Sequence, residues 1–189
     1  MSMDDPRFAD AGGEPVPFEE IREDFLRFTA AIVLCTVTTV DERSRPRSRM
    51  LHPIFTERDG RPVGWVLTAP TALKVRHLAH SPYVACSYWS PAQNVVYADC
   101  IATWVADQDE KDAVYDLFLT TPPPLGYGDE GMAGFGPDGP RSALFTPLRL
   151  DPWRIQVLRG EEYPMGNMVP KKWRATSSSL PSGSTGPCG

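Results

Sequence analysis

The sequence has no C-x-x-C pair, no excess of positive charge, and no apolar run near the ~20 residues that a bilayer-spanning helix needs. Each absence removes a class of function. Without paired cysteines, a disulfide framework or a zinc ribbon is not expected. Cys35, Cys86 and Cys100 lie in apolar, strand-like runs, and with Cys188 they read as reduced thiols of a cytoplasmic protein. A formal net charge of −5 and a pI near 5.2 argue against nucleic acid as the main partner. The lack of a long apolar run argues against a membrane partner. The acidic start MSMDDPRFADAGGEP has no apolar core, so no secretory leader is expected. G-x-S-x-G, Walker A and zincin motifs are also missing.

What is present is an ordinary globular composition, 41% hydrophobic and 23% charged over 189 residues, which predicts one folded domain. The 20 prolines, against about 9 at average usage, argue against a helical bundle. Residues 1–16 are polar and read as a flexible arm. Residues 175–189 are Ser/Gly/Pro-rich and read as a disordered tail, leaving 17–174 as the domain. Phe18, Ile21, Phe25 and Phe28 recur at helical spacing within 17–30. Strand patterns follow at 31–40, 47–55 and 63–69, the last two joined by an Asp59-Gly60 hairpin turn. The period changes to helical at 70–80, where Pro70 fits a first turn, then strands recur at 83–89 and 95–106. Asp107 with Glu110 is a capping box for a helix to about 119. A Gly/Pro-rich loop without regular structure and two further strands complete the domain. The pattern predicts an α+β fold, an antiparallel barrel of six to seven strands with a few short helices.

The chemistry concentrates in VLTAPTALKVRHLAHSP. Thr68 ends a strand, a helix opens after it, and Lys74 lies six residues on. The first N–H groups of a helix lack partners and attract anions. A helix cap at Thr68 and a solvated Lys74 are the bland alternative. Upstream, Arg43, Arg45, Arg47 and Arg49 alternate, so strand periodicity puts Arg47 and Arg49 on one face and Met50 on the other. Arginine suits two-pronged phosphate binding. Together the two pieces suggest a phosphorylated cofactor. His77 and His80, spaced i, i+3, read as a solvated helix face rather than metal ligands. His52 reads as a hydrogen-bonded strand residue, and Trp65, Trp89, Trp104 and Trp153 as core or dimer contacts.

The order of these pieces resembles the pyridoxamine-phosphate-oxidase-like FMN-binding split-barrel family. A helix and a strand lead to Arg49-Met50-Leu51, then to a strand ending in Thr68, the helix of Lys74, and HSPYVACSYW. The likeness spans roughly 20–158. It implies a homodimer with the cofactor at the interface. Arg49, Lys74 and Thr68 would hold the FMN phosphate, and the backbone of Met50 and Leu51 would run along the isoalloxazine edge. Where the family often has a serine two residues before the lysine, this chain has Ala72, and Thr71 is the candidate substitute. The region RGEEYPMGNMVPKKW lacks the arginine pair with which the true vitamin B6 oxidases hold substrate, so another small molecule is expected. No catalytic side chain or metal ligand is assigned, since flavin carries the hydride chemistry itself. Related split barrels that bind a deazaflavin are the alternative, for whose acidic tail Arg45, Arg47 and Arg76 are available. Non-catalytic flavin or haem binding is a further one.

Overall fold

The computed structural model describes residues 14–166 and 169–176, so the expectations for 1–13 and 177–189 fall outside the described residues. Helix α1 (Glu19–Ile32) leads to β1 (Cys35–Val40), β2 (Pro46–Leu51), β3 (Pro53–Arg58) and β4 (Arg61–Leu67). Helix α2 (Ala72–His80), β5 (Tyr83–Trp89), β6 (Val95–Trp104) and α3 (Gln108–Thr120) follow. The short α4 (Gly128–Met132), β7 (Pro147–Leu158) and β8 (Lys171–Arg174) end the described chain. All strand pairings are antiparallel, in the order β2-β1-β5-β6-β7-β4-β3, with β8 beside the second half of β7. The fold is the expected α+β barrel, with β8 as an additional short strand.

The barrel follows from connectivity. Strands β2 and β3 are the two ends of the seven-strand path, yet only His52 separates them. In a flat sheet six interstrand steps would part them by about 29 Å. One residue spans about 7 Å between its flanking Cα atoms. The sheet must therefore curl until its ends meet at His52. The sequence reading ran one strand through 47–55. The structure breaks it there, because residues up to Leu51 pair with β1 and those from Pro53 pair with β4.

Helix α1 fills the barrel with the expected stripe. Phe18, Ile21, Phe25 and Phe28 are buried among Val37, Phe55, Tyr88, Ala98 and Ile155. Strands β3 and β4 are covered on both faces. Phe55 and Val66 look toward α1, while Ile54, Val63 and Trp65 pack on Val114 and Phe118 of α3. This explains the almost continuous apolar run of β4. The connection after α3, expected to be irregular, forms α4 and short 3-10 turns that bring Met132 and Phe145 into the same cluster. Its burial outweighs its Gly/Pro content. The last two expected strands are one, β7. Pro152 is accommodated at a register shift against Asp99 and Cys100, where a strand tolerates a missing N–H. Asp59 and Gly60 both have positive φ, as a two-residue hairpin turn requires.

Cys35, Cys86 and Cys100, on β1, β5 and β6, are free and buried as expected. Hydrogen bonding to Cys86 and burial push the Cys35 thiol up, and contact with Cys100 and burial do the same for Cys86. Val16, assigned to the N-terminal arm, donates its N–H to Lys172 O at 2.8 Å and packs on the core.

The β1–β2 turn is held by Asp41. Its carboxylate accepts from Arg43 N at 2.9 Å, Arg45 N at 3.0 Å and Arg45 Nε at 2.8 Å. Burial pushes its pKa up, but these donors outweigh burial and hold it down at about 2. A depressed carboxylate stabilises the fold above the unfolded-state pKa and loses that contribution as pH falls through the folded value. Urea midpoints of the wild type should decline from about pH 4 toward pH 2. Asp41→Asn should start lower at neutral pH and show less of that decline; parallel curves would remove Asp41 from the turn.

Candidate functional site

Antiparallel register places the arginine. Arg49 pairs with Val37, and Val37 with Cys86, so Arg49 lies on the inner face of the barrel at its edge strand. Met50 pairs with Thr36 on the outer face and is 58% exposed. Leu51, opposite Cys35, is half-buried against the core. The alternation expected from sequence therefore holds, with Arg49 and Leu51 inward and the Met50 side chain outward.

Helix α2 supplies the second cation. It begins at Ala72, two residues later than Pro70 suggested, because Thr71 is the N-cap and accepts from Lys74 N at 3.4 Å. Thr68 is therefore not the cap. Its Oγ accepts a hydrogen bond from Lys74 Nζ. Thr68, Thr71 and Lys74 meet where β4 ends and α2 starts, and Arg49 on β2 is near enough for its charge to act on Lys74.

Electrostatics sets this cluster apart. Burial, followed by the charge of Arg47, lowers the pKa of Arg49. Burial, followed by the charge of Arg49, lowers that of Lys74. Lys74 thus lies within reach of the Arg49 charge. Among the described residues no carboxylate lies within 4.0 Å of either, whereas Arg45, Arg149, Arg154 and Arg159 are each ion-paired. Arg49 Nη2 instead donates to Thr39 Oγ at 3.1 Å, and Thr39 Oγ lies 3.1 Å from His77 Nδ1. The resulting cluster, half-buried at Arg49, Thr68 and Lys74, is positively charged and rich in hydroxyls. It is complementary to a phosphate or another multivalent anion.

Sequence reasoning missed Thr39 and misjudged His77. His77 is only 1% exposed and faces β1, while His80 is exposed, so the two histidines do not share a solvated face. The i, i+3 spacing of Lys74 and His77 was the available signal, since it puts both on one side of α2. His52 occupies the barrel break, with burial lowering its pKa and its ring edge-on to Phe118 and Tyr127. Among the other cations considered, Arg45 is held by Asp41. Arg47 lies 3.9 Å from the same carboxylate, and Arg76 lies 3.8 Å from Glu42.

On the outer face, Leu34, Met50, Trp89 and Tyr97 are exposed together around Thr36 and Ser87, forming a shallow depression of about 400 Å³. Thr36 pairs with both Met50 and Ser87, and Ser87 with Tyr97, so the row is continuous across four strands. No helix among the described residues is long and apolar enough to cross a membrane.

No protein-family model matches the chain, and no curated protein matches it. Solved structures do. A Clostridium acetobutylicum protein related to general stress protein 26, of the pyridoxinephosphate oxidase family, superposes with TM-score 0.59 at 12% identity, covering 82% of this chain and 95% of its own. A pyridoxamine 5'-phosphate oxidase-related, FMN-binding protein from Nostoc punctiforme gives 0.56 at 16% identity, covering 85% and 97%. A NimC/NimA family protein from Clostridium acetobutylicum gives 0.55 at 9%, covering 81% and 92%. At these identities the likeness is one of fold, and that fold is the antiparallel split barrel expected from the sequence.

An uncancelled cation pair should be stabilised by any multivalent anion that reaches it. Replacing chloride by inorganic phosphate at constant ionic strength should raise the Tm of the wild type. Lys74→Met and Arg49→Met should each lose most of that rise. Equal rises in all three proteins would show that phosphate acts elsewhere.

Proposed function

We propose that this chain is an FMN-dependent oxidoreductase, a cytoplasmic homodimer that acts on a small molecule other than vitamin B6. The observation that carries the reading is the pair Arg49 and Lys74. Each is held by its own hydroxyl, Arg49 by Thr39 and Lys74 by Thr68, the Arg49 charge reaches Lys74, and among the described residues neither has a carboxylate within 4.0 Å. The match to FMN is chemical: a dianionic phosphate would neutralise both cations and relieve their mutual repulsion.

Each residue has a distinct part. Arg49 presents a planar fork to two phosphate oxygens, and Lys74 adds a point charge. Because Thr68 Oγ accepts from Lys74 Nζ, its own hydroxyl proton is free to donate to the anion. Thr71 fixes the first turn of α2 and stands in for the serine that Ala72 replaces. The backbone of Met50 and Leu51 would line the ring edge. Bound FMN supplies hydride or electron transfer, so the protein's task is binding, orientation and exclusion of water. A deazaflavin, with its longer acidic tail, is less well served, because Arg45, Arg47 and Arg76 already lie beside Asp41 and Glu42.

The homodimer reading rests on the outer face. Monomers rarely expose a continuous apolar row of this kind, and a second copy laid on the Met50 strand would cover it. Trp89, 58% exposed at its rim, should be critical. Trp89→Glu should sediment as a monomer where the wild type sediments as a dimer; a monomeric wild type would overturn this part.

Fluorescence quenching of free FMN tests the cofactor. Lys74→Ala and Arg49→Ala should each bind roughly 10- to 150-fold more weakly than the parent, as expected for loss of a charge-assisted contact. Arg49→Lys should fall between Arg49→Ala and the wild type, since lysine keeps the charge but not the fork. Equal dissociation constants across the series, or no FMN binding by the wild type, would sink the assignment.

A further inference from the structure

We infer that Thr39 and His77 form a carboxylate-free relay that positions the Arg49 guanidinium, and that this relay is what lets the site tell a phosphorylated ligand from its unphosphorylated counterpart. The inference rests on the anion-binding reading above and extends it to two residues that touch no ligand.

The Arg49 end of the relay has a fixed direction. Arg49 Nη2 can only donate, so Thr39 Oγ accepts at that 3.1 Å contact. The hydroxyl has one proton and one further lone pair to use. His77 Nδ1 lies 3.1 Å away and Arg47 O 3.5 Å away, so Thr39 is bonded to His77 in either tautomer: it donates to Nδ1, or accepts from it and donates to Arg47 O. The chain therefore runs Arg49 to Thr39 to His77, from β2 through β1 to α2. Its inner members are well fixed, with Thr39 2% and His77 1% exposed.

The lack of a carboxylate in the relay is the informative feature. An arginine on an edge strand has several free torsions, and freezing them opposes ligand binding. A carboxylate would hold the side chain but cancel its charge, as happens to Arg45, Arg149, Arg154 and Arg159. A hydroxyl backed by an imidazole holds the guanidinium and leaves the charge whole. The same helix face carries Lys74 three residues before His77, so one element fixes both cations relative to each other.

The test compares FMN with riboflavin, which shares the ring and ribityl chain but lacks the phosphate. Dissociation constants would be measured on the full chain for wild type, Thr39→Val, Thr39→Ser and His77→Leu, with Tm recorded for each. The wild type should prefer FMN. Thr39→Val, which keeps the shape and removes the hydroxyl, should weaken FMN about tenfold and change riboflavin less than twofold. Thr39→Ser should restore the preference. His77→Leu leaves β1 intact and gives the same comparison if Thr39→Val does not fold; it should weaken FMN roughly threefold, again selectively. An unchanged FMN-to-riboflavin ratio in Thr39→Val and His77→Leu, beside a clear preference in the wild type, would overturn the relay alone. Equal losses for both ligands with a lowered Tm would assign Thr39 and His77 a merely structural role and also overturn it. A wild type without preference would bring down the anion-site reading, and the relay with it.

Discussion

The rest of this molecule depends on one covalent constraint: the two ends of the seven-strand path are joined through a single residue, His52. A twisted antiparallel sheet can stay open if its edge strands are far apart in the chain. Here the chain leaves β2 and enters β3 at once, so the sheet has no option but to curl, and the curl creates the interior that α1 fills. It also brings the end of β4 toward β2, because β3 pairs with β4 from Pro53 and Val66 onward. Thr68, just beyond β4, and Arg49, just before the end of β2, are linked through Lys74, which bonds Thr68 and feels the charge of Arg49. The candidate site lies at the seam of the barrel.

At that seam the protein keeps two positive charges uncancelled while carrying a net charge of −5 overall. Carboxylates are plentiful and are used elsewhere. Asp41 holds the β1–β2 turn, Asp24 joins Arg27 and Arg159, and Glu110 meets Arg58 and Arg149. Among the described residues, no carboxylate lies within 4.0 Å of Arg49 or Lys74, although both cations are half-buried. Groups that hold a charge without neutralising it are costly to the isolated fold, through desolvation and repulsion, and they are found where a ligand completes the balance.

How much of this was legible in the sequence depended on whether a residue's role was local. The α1 stripe, the Asp59-Gly60 turn, the Asp107 cap and strand β5 follow from spacing alone, and each stands as expected. The inward register of Arg49 and the meeting of Thr68 with Lys74 were legible because strand alternation and a fixed separation survive folding. Thr39 was not, since a threonine in a β-branched run looks the same whether it fills space or carries a hydrogen bond. His77 was misjudged because the face of α2 that turns inward is decided by its contact with β1, a long-range choice. The break at His52 and the fusion of two expected strands into β7 were likewise set by pairing partners distant in the chain. Pro152 reads as a stop locally, and only the register shift opposite Asp99 makes room for it.

The three buried thiols carry a consequence of a different kind. Cys35, Cys86 and Cys100 lie on three successive strands of the path, β1, β5 and β6, with raised pKa values at Cys35 and Cys86 that keep those sulfurs protonated at neutral pH. No alkylating reagent can reach them until those strands part. Their modification is therefore a clock for barrel opening, blind to events on the surface. Whatever fastens β2 to β1, whether the turn at Asp41 or a ligand bridging the seam, slows that clock by the same free energy with which it holds the strands together.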